Sequence, residues 1–150
     1  MAIVTIADVL RRAEEFERAV ADLYARLSHN TMREGVRLLA RYMSIQRPRI
    51  PHALACVPSD RLATIFSTPL CCDPYGADCH CLDAMELPVN ASSAEVLDMG
   101  VNFNECLARF YRQIVRQPLD RTVVDLFECF IRLEQREEIE LKKIKAMNYF

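Results

Sequence analysis

Four segments of the chain carry apolar residues at alternating spacings of three and four, the pattern that lines one face of an α-helix. Thr5 with Asp8, and Ser92 with Glu95, are spaced as caps that begin the first and third of these helices. The apolar faces of the first and last segments include Leu10, Ala13, Val20, Tyr24 and Leu27, and Val123, Leu126, Phe130, Leu133 and Ile144.

The first two predicted helices are joined by a short turn. Asn30 suits the left-handed residue that ends a helix, and Thr31 with Glu34 is spaced as a capping box for the second helix. Pro48 and Pro51 remove backbone donors, so the second helix should end or kink just before them. A turn this short predicts that the two helices pack antiparallel.

The last two helices are joined as tightly, by Gln117–Pro118, with Asp120 as the cap of the fourth helix. Between the two pairs, from about residue 57 to 91, periodicity fades and leaves one short predicted helix from Ser59 to Phe66. The sequence therefore predicts a single all-α domain over residues 1–150. It consists of two antiparallel hairpins joined by a long, cysteine-rich crossover.

Composition limits the classes of function. The 150 residues include 19 basic and 21 acidic side chains, which give a net charge of −2 and no basic stripe for nucleic acid. No apolar run reaches the roughly 18 residues of a membrane span, so no membrane partner is predicted. The first residues lack the features of a signal peptide. We therefore expect a cytoplasmic protein whose seven cysteines are mostly reduced.

Polar residues interrupt the apolar face of each predicted helix. Burying an unpaired carboxylate is costly, and a metal ion, a base or a hydrogen-bond network must compensate it. These residues are therefore the candidates for chemistry inside the protein. They are Glu17, Gln46, Asn104, Glu137 and Glu140.

The pattern around these residues resembles the rubrerythrin and ferritin-like family. Glu17 is followed seven residues later by Tyr24, and Asn104 and Tyr111 repeat this spacing in the third helix. Met43 and Gln46 align with the second-helix ligand pair, and Leu133, Glu137, Glu140 and Ile144 fit the fourth-helix pattern. The resemblance covers about residues 5–56 and 92–148. It implies a ferritin-like four-helix bundle with a carboxylate-bridged di-iron site, next to which Tyr24 and Tyr111 would lie.

Several ligand positions depart from the family pattern. Glu17 and Glu137 keep the carboxylates, but Met43 and Gln46 replace a glutamate and a histidine. Asn104 replaces a glutamate, and Glu140 stands where a histidine is expected. We therefore expect a degenerate, non-functional di-iron site whose acids are held by hydrogen bonds or by arginines. The candidate arginines are Arg41, Arg109, Arg132 and Arg136. The predicted function is that of a binding or structural protein.

An enzyme is the alternative that this resemblance leaves open. In that hypothesis a rubrerythrin-like oxidoreductase reacts with oxygen or peroxide at an atypical iron or manganese site. Glu17, Glu137 and Glu140 would be its ligands, in an oxygen-rich set of low selectivity. The resemblance, together with surplus apolar residues on the first two helices, also predicts a homodimer.

The crossover is a second candidate site because it gathers soft ligands. Cys71, Cys72, Cys79, His80 and Cys81 are numerous enough for tetrahedral zinc, although the spacing differs from common zinc motifs. A zinc or thiol-redox module, a regulatory disulfide such as Cys72 with Cys79, and reduced thiols that pack the loop all remain open.

Overall fold

The computed structural model describes residues 3–46, 49–74, 87–148 and 150. Within these ranges the protein is all-helical, as the sequence predicts, and has no extended strand. The helices are α1 (Ile6–Asn30), α2 (Glu34–Gln46), α3 (Ile50–Ala55), α4 (Ser59–Ser67), α5 (Ser93–Val115) and α6 (Arg121–Met147). In this part of the chain no helix combines the length and the apolar content that crossing a membrane requires.

Two predicted capping boxes are confirmed. The backbone N–H of Thr5 donates to Asp8 Oδ2 at 2.9 Å, and the backbone N–H of Asp8 donates to Thr5 Oγ1 at 3.4 Å. Ser92 and Glu95 exchange the same two hydrogen bonds at the start of α5. Each box satisfies backbone donors that the first turn of a helix leaves without partners.

The turn between α1 and α2 differs from the prediction. Asn30 is the last residue of α1 and Thr31 is the extended C-cap, so Asn30 is not a left-handed terminator. The hydroxyl of Thr31 accepts from the backbone N–H of Arg33 at 3.2 Å, two residues on. Threonine favours this local turn, and it replaces the predicted capping box with Glu34.

The helix breaks predicted at the prolines are confirmed. α2 ends at Gln46, and α3 begins at Ile50 with Pro51 in its first turn, where a missing N–H costs nothing. The short helix predicted in the crossover is α4. Asp120 is the N-cap residue of α6, as predicted, but its side chain makes no capping hydrogen bond there.

The helices pack as two pairs that share one hydrophobic core. α1 packs along α2 and α5 packs along α6, while α2 also contacts α5 and α1 contacts α3 and α4. The ring of Phe103 on α5 meets the edges of Phe16 and Tyr24 on α1, with ring centroids 5.7 and 6.2 Å apart. Edge-to-face contacts of this kind add to the burial energy of the rings and hold the two pairs together.

The chain after α4 returns to the start of α1. Thr5 and Pro69 form an isolated antiparallel bridge, in which Ile6 N donates to Thr68 O and Leu70 N donates to Val4 O, both at 2.9 Å. This bridge fixes the first part of the predicted crossover on the N-terminal end of α1. Residues 75–86 of the crossover lie outside the described residues.

Candidate functional site

Arg49 occupies the break between α2 and α3 and reaches into the space between α1 and α6. Its guanidinium forms an ion pair with Glu137 Oε2 on α6. The same group donates to the backbone oxygen of Leu133 at 3.1 Å and to that of Gln46 at 3.2 Å. The side chain is 18% exposed and that of Glu137 is 9% exposed, so the pair is largely removed from water.

Glu17 joins this arrangement from α1. The backbone N–H of Arg49 donates to Glu17 Oε2 at 2.9 Å, and Glu17 is only 2% exposed. Arg49 therefore binds both carboxylates that the family pattern retains, one through its backbone and one through its side chain. A charge-assisted hydrogen bond and an ion pair compensate the cost of burying these acids.

The predicted arginine partners are wrong in identity, although an arginine does hold the acids. Arg41, Arg109, Arg132 and Arg136 are all exposed. Arg49 replaces them because the break after Gln46 turns its backbone N–H and its side chain inward together. A sequence signal was available, because Arg49 directly follows Pro48 and so lies at the predicted helix break.

The inward acidic pair on α6 is Glu134 and Glu137, not Glu137 and Glu140. Glu134 is 3% exposed and Glu137 is 8% exposed, whereas Glu140 is exposed. The spacing of three residues places the first two on one face of the helix. Glu140 is therefore not a buried ligand, and Glu134 is a buried acid that the sequence analysis did not single out.

Asn104 lies opposite this pair on α5 and is completely buried. Its side-chain amide donates to the backbone oxygen of Glu134 at 3.1 Å, which ties α5 to α6. An amide can donate in this way where a carboxylate cannot. Asn104 thus makes a hydrogen bond within the protein that a glutamate carboxylate could not make.

The second-helix positions have separate environments. Gln46 is exposed, so its prediction as an inward ligand is wrong, and it contributes its backbone oxygen to Arg49. Met43 is buried against Gly100, where an added Cβ would lie 2.5 Å from Met43 Cε and 3.2 Å from the Tyr24 hydroxyl. Because Gly100 has no side chain, the end of Met43 can occupy this space.

The two tyrosines predicted beside the ligands are both buried. Tyr24 lies beside Gly100, as described above. Tyr111 lies in an aromatic cluster, with its ring centroid 5.8 Å from that of Phe127 and 5.4 Å from that of Phe130. Its position is explained by ring packing.

Tyr42, on the outer side of α2, lies close enough to Glu137 and Glu140 for their charges to affect its pKa. Its pKa is raised above the ordinary value, first by partial burial and then by the negative charges of Glu140 and Glu137, while Arg49 acts in the opposite direction. Tyr42 is 38% exposed. The acidic group therefore extends from the buried pair to the surface of α2 and α6.

A groove of about 620 Å³ opens beside Arg49, between α3 and α6. Its walls are mostly apolar, with Ile45, Val57, Leu126 and Leu133 among them, and the free thiols of Cys56 and Cys129 also line it. Its volume and character match those of pockets that bind small molecules or the side chains of a partner.

The cysteine site of the crossover is described in part. Cys71 and Cys72 are exposed and free, so a regulatory disulfide from Cys72 to Cys79 is not formed here and stays a hypothesis. Cys79, His80 and Cys81 lie outside the described residues. Cys106 is buried on α5, as expected of a core cysteine, but it is disulfide-bonded, which the sequence does not predict.

The residues do not fit the paired-iron site that the resemblance implies. The carboxylates of Glu17 and Glu137 both accept from Arg49, and Met43 and Asn104 supply no bridging carboxylate. Iron in such bundles needs carboxylates and imidazoles. Over residues 3–46, 49–74, 87–148 and 150, no three His, Cys, Asp or Glu side chains gather in a way that could hold a metal ion.

Comparison with family models, with curated proteins and with solved structures found no match to the chain. The likeness to ferritin-like proteins therefore rests on the residues quoted above. The function has to be argued from the geometry of the site itself.

Proposed function

We propose that this protein is a ferritin-like four-helix bundle that has exchanged its metal centre for an arginine and serves as a metal-independent binding protein. One observation carries the proposal. Arg49 binds both Glu17 and Glu137, the two acids that keep the family's ligand positions. Its guanidinium supplies to Glu137 the positive charge that a cation would otherwise bring, and its backbone N–H supplies a hydrogen bond to Glu17.

The stability of the fold tests this exchange. If Arg49 replaces the metal, thermal unfolding should be unchanged when Fe(II) or Mn(II) is added to the chain or when a strong chelator is added. A ligand that binds only the folded state raises its stability with concentration. A rise in the unfolding temperature with either ion, abolished by Glu137→Gln, would overturn the proposal.

The binding role that we propose is self-association through the outer face of α2. Leu38, Tyr42 and Ile45 are 51%, 38% and 67% exposed, and their spacing of four and three makes one stripe along the helix. Ile45 also lines the apolar groove beside Arg49, so the stripe and the groove are continuous. An apolar surface of this extent favours an interface over solvent.

Charge favours a second copy of this chain as the occupant. With about 100° between successive residues of a helix, Arg41 lies on one edge of the stripe, and Tyr42 lies toward the opposite edge. Tyr42 is near enough to Glu140 for that charge to raise its pKa. A two-fold axis along α2 would therefore set the basic edge of one copy against the acidic edge of the other.

Sedimentation at micromolar concentration tests the dimer. We expect a dimer that Ile45→Glu converts to monomer. Val89→Glu, at a side chain of similar exposure (63%) outside the stripe, should leave it intact. A monomeric wild-type chain, or an Ile45→Glu variant that still dimerises, would contradict this part of the proposal. The predicted cytoplasmic location stays a prediction.

A further inference from the structure

Cys71 and Cys72 are neighbours in the chain, and one side chain holds the backbone of both. Gln117 Oε1 accepts from the backbone N–H of Cys71 at 2.9 Å and from that of Cys72 at 3.1 Å. Gln117 Nε2 donates to the backbone oxygen of Cys72 at 2.9 Å. We call these three hydrogen bonds the Gln117 clamp. It attaches the segment after α4 to the turn between α5 and α6.

The clamp is a separate attachment from the bridge on α1. That bridge ends with the hydrogen bond from Leu70 N to Val4 O, one residue before Cys71. The thiols of Cys71 and Cys72 are both free and exposed, so small reagents can reach them. The pair therefore combines accessible thiols with a backbone whose conformation is fixed by a defined partner.

A disulfide between adjacent cysteines closes an eight-membered ring that contains the peptide joining them. Consecutive Cα atoms lie about 3.8 Å apart across a trans peptide. Cysteines in disulfides usually have their Cα atoms about 4.4 to 6.8 Å apart, so a disulfide between adjacent residues is strained and restricts the torsion angles on both sides of this peptide. The N–H of Cys72 belongs to the peptide that joins the pair, and it is one of the groups that Gln117 holds.

We infer that Cys71–Cys72 is a thiol modification site at which a small-molecule disulfide such as oxidised glutathione forms an adjacent disulfide and opens the Gln117 clamp. One cysteine thiolate attacks the reagent, which releases one thiol and leaves a mixed disulfide. The second cysteine then attacks the bound cysteine sulfur and releases the other thiol. The two cysteine protons end on the two released thiols, so two protein thiols are oxidised and one reagent disulfide is reduced.

The clamp forms only with the reduced pair and therefore stabilises the reduced state relative to the disulfide. A variant that weakens the clamp should therefore be oxidised more readily. A strained disulfide is readily reduced again, which suits a reversible modification. Gln117→Ala removes the clamp without changing either thiol. Gln113→Ala is the matched control, since this glutamine lies in the last turn of α5, four residues before Gln117, and is not part of the clamp.

The test equilibrates the full chain with reduced and oxidised glutathione, blocks free thiols, and cleaves before aspartate. Cleavage before Asp60 and Asp73 releases peptide 60–72, in which Cys71 and Cys72 are the only cysteines. We expect this peptide to lose two hydrogen atoms on oxidation. Gln117→Ala should reach half-oxidation at an oxidant ratio about tenfold lower than wild type, because it removes three exposed hydrogen bonds that each contribute about twofold. Gln113→Ala should match wild type.

Hydrogen exchange gives a second readout that needs no variant. The amides of Cys71 and Cys72 should exchange at least about fivefold faster in the oxidised chain than in the reduced chain, because their acceptor is lost. Cys71→Ser and Cys72→Ser should each stop at the mixed disulfide. A stable glutathione adduct on the wild-type pair, no oxidation, unchanged amide exchange, or a Gln117→Ala midpoint equal to wild type would overturn the inference.

Discussion

The guanidinium of Arg49 pairs with the carboxylate of Glu137, with 18% of one side chain and 9% of the other exposed. The backbone N–H of the same arginine binds Glu17. One residue at a helix break thus links α1 to α6 through two buried acids. Removing one partner of a buried pair leaves the other charge uncompensated, so the contact is best tested from the arginine side.

Replacing Arg49 should destabilise the protein strongly. We expect Arg49→Ala to lower the free energy of unfolding by about 3 kcal/mol, because Glu137 stays buried without its partner. Arg49→Lys should fall between this variant and wild type, since lysine keeps the charge but lacks the planar fork. Urea denaturation measures both. The control Arg109→Ala, at an exposed arginine of α5, should change the value by less than about 0.5 kcal/mol, and an equal effect there would refute the special role of Arg49.

Replacing the acids three residues before and after Glu137 should lower stability by different amounts. Glu134 is 3% exposed and Glu140 is exposed, although both lie three residues from Glu137. We expect Glu134→Ala to cost about 2 kcal/mol and Glu140→Ala less than about 0.5 kcal/mol. Equal effects in thermal or urea unfolding would show that the assignment of the inward pair on α6 is wrong.

Gly100 should resist enlargement. An added Cβ would lie 2.5 Å from Met43 Cε and 2.8 Å from Leu141 Cδ1, so Gly100→Ala should cost about 1 to 2 kcal/mol despite the better helix propensity of alanine. Met43→Val removes the closest atom. The double variant should therefore be more stable than the sum of the two single changes predicts. A simply additive double variant would argue against the close approach of Met43.

The capping box at the start of α1 should make stability depend on pH. The hydrogen bonds from Thr5, first from its backbone and then from its side chain, lower the pKa of Asp8 from its usual 3.8. A lowered pKa in the folded state means that stability is present above the unfolded value and is lost as the pH falls through the folded value. Asp8→Asn should therefore unfold at a lower temperature than wild type at neutral pH.

The difference between Asp8→Asn and wild type should shrink as the pH drops below about 3.8, the unfolded value. Asp22→Asn, an exposed position of the same helix, is the control and should show no such trend. A difference that stays constant across the acidic range would mean that the carboxylate of Asp8 does not act through its charge.

The helices and two of their caps could be predicted from the sequence because these features are local. Apolar spacing, the capping pairs at Thr5 and Ser92, and the proline break at Pro48 each depend on residues within one or two turns. The pairing of α1 with α2 and of α5 with α6 followed from the short turns between them. Thr31 and Asp120 show the limit, since several local hydrogen bonds compete at a helix end.

The site was harder to predict because it depends on choices between neighbouring positions. After Phe130, either Leu133 or Glu134 continues the spacing of three and four. From the sequence alone, the apolar Leu133 is the residue expected to be buried. The buried residue is Glu134, because Asn104 and the α5 packing set the rotation of α6. Arg49 was missed for a related reason, since a contact with Glu17 and Glu137 spans three elements and leaves no periodic signal.

The most direct test of the central claim is the iron and manganese content of the protein, purified without added metal or chelator. The claim is that Arg49 occupies the place of a cation between Glu17 and Glu137. It predicts neither iron nor manganese in proportion to the chain, in wild type and in Glu137→Gln alike. A content near two irons per chain that Glu137→Gln abolishes would contradict it.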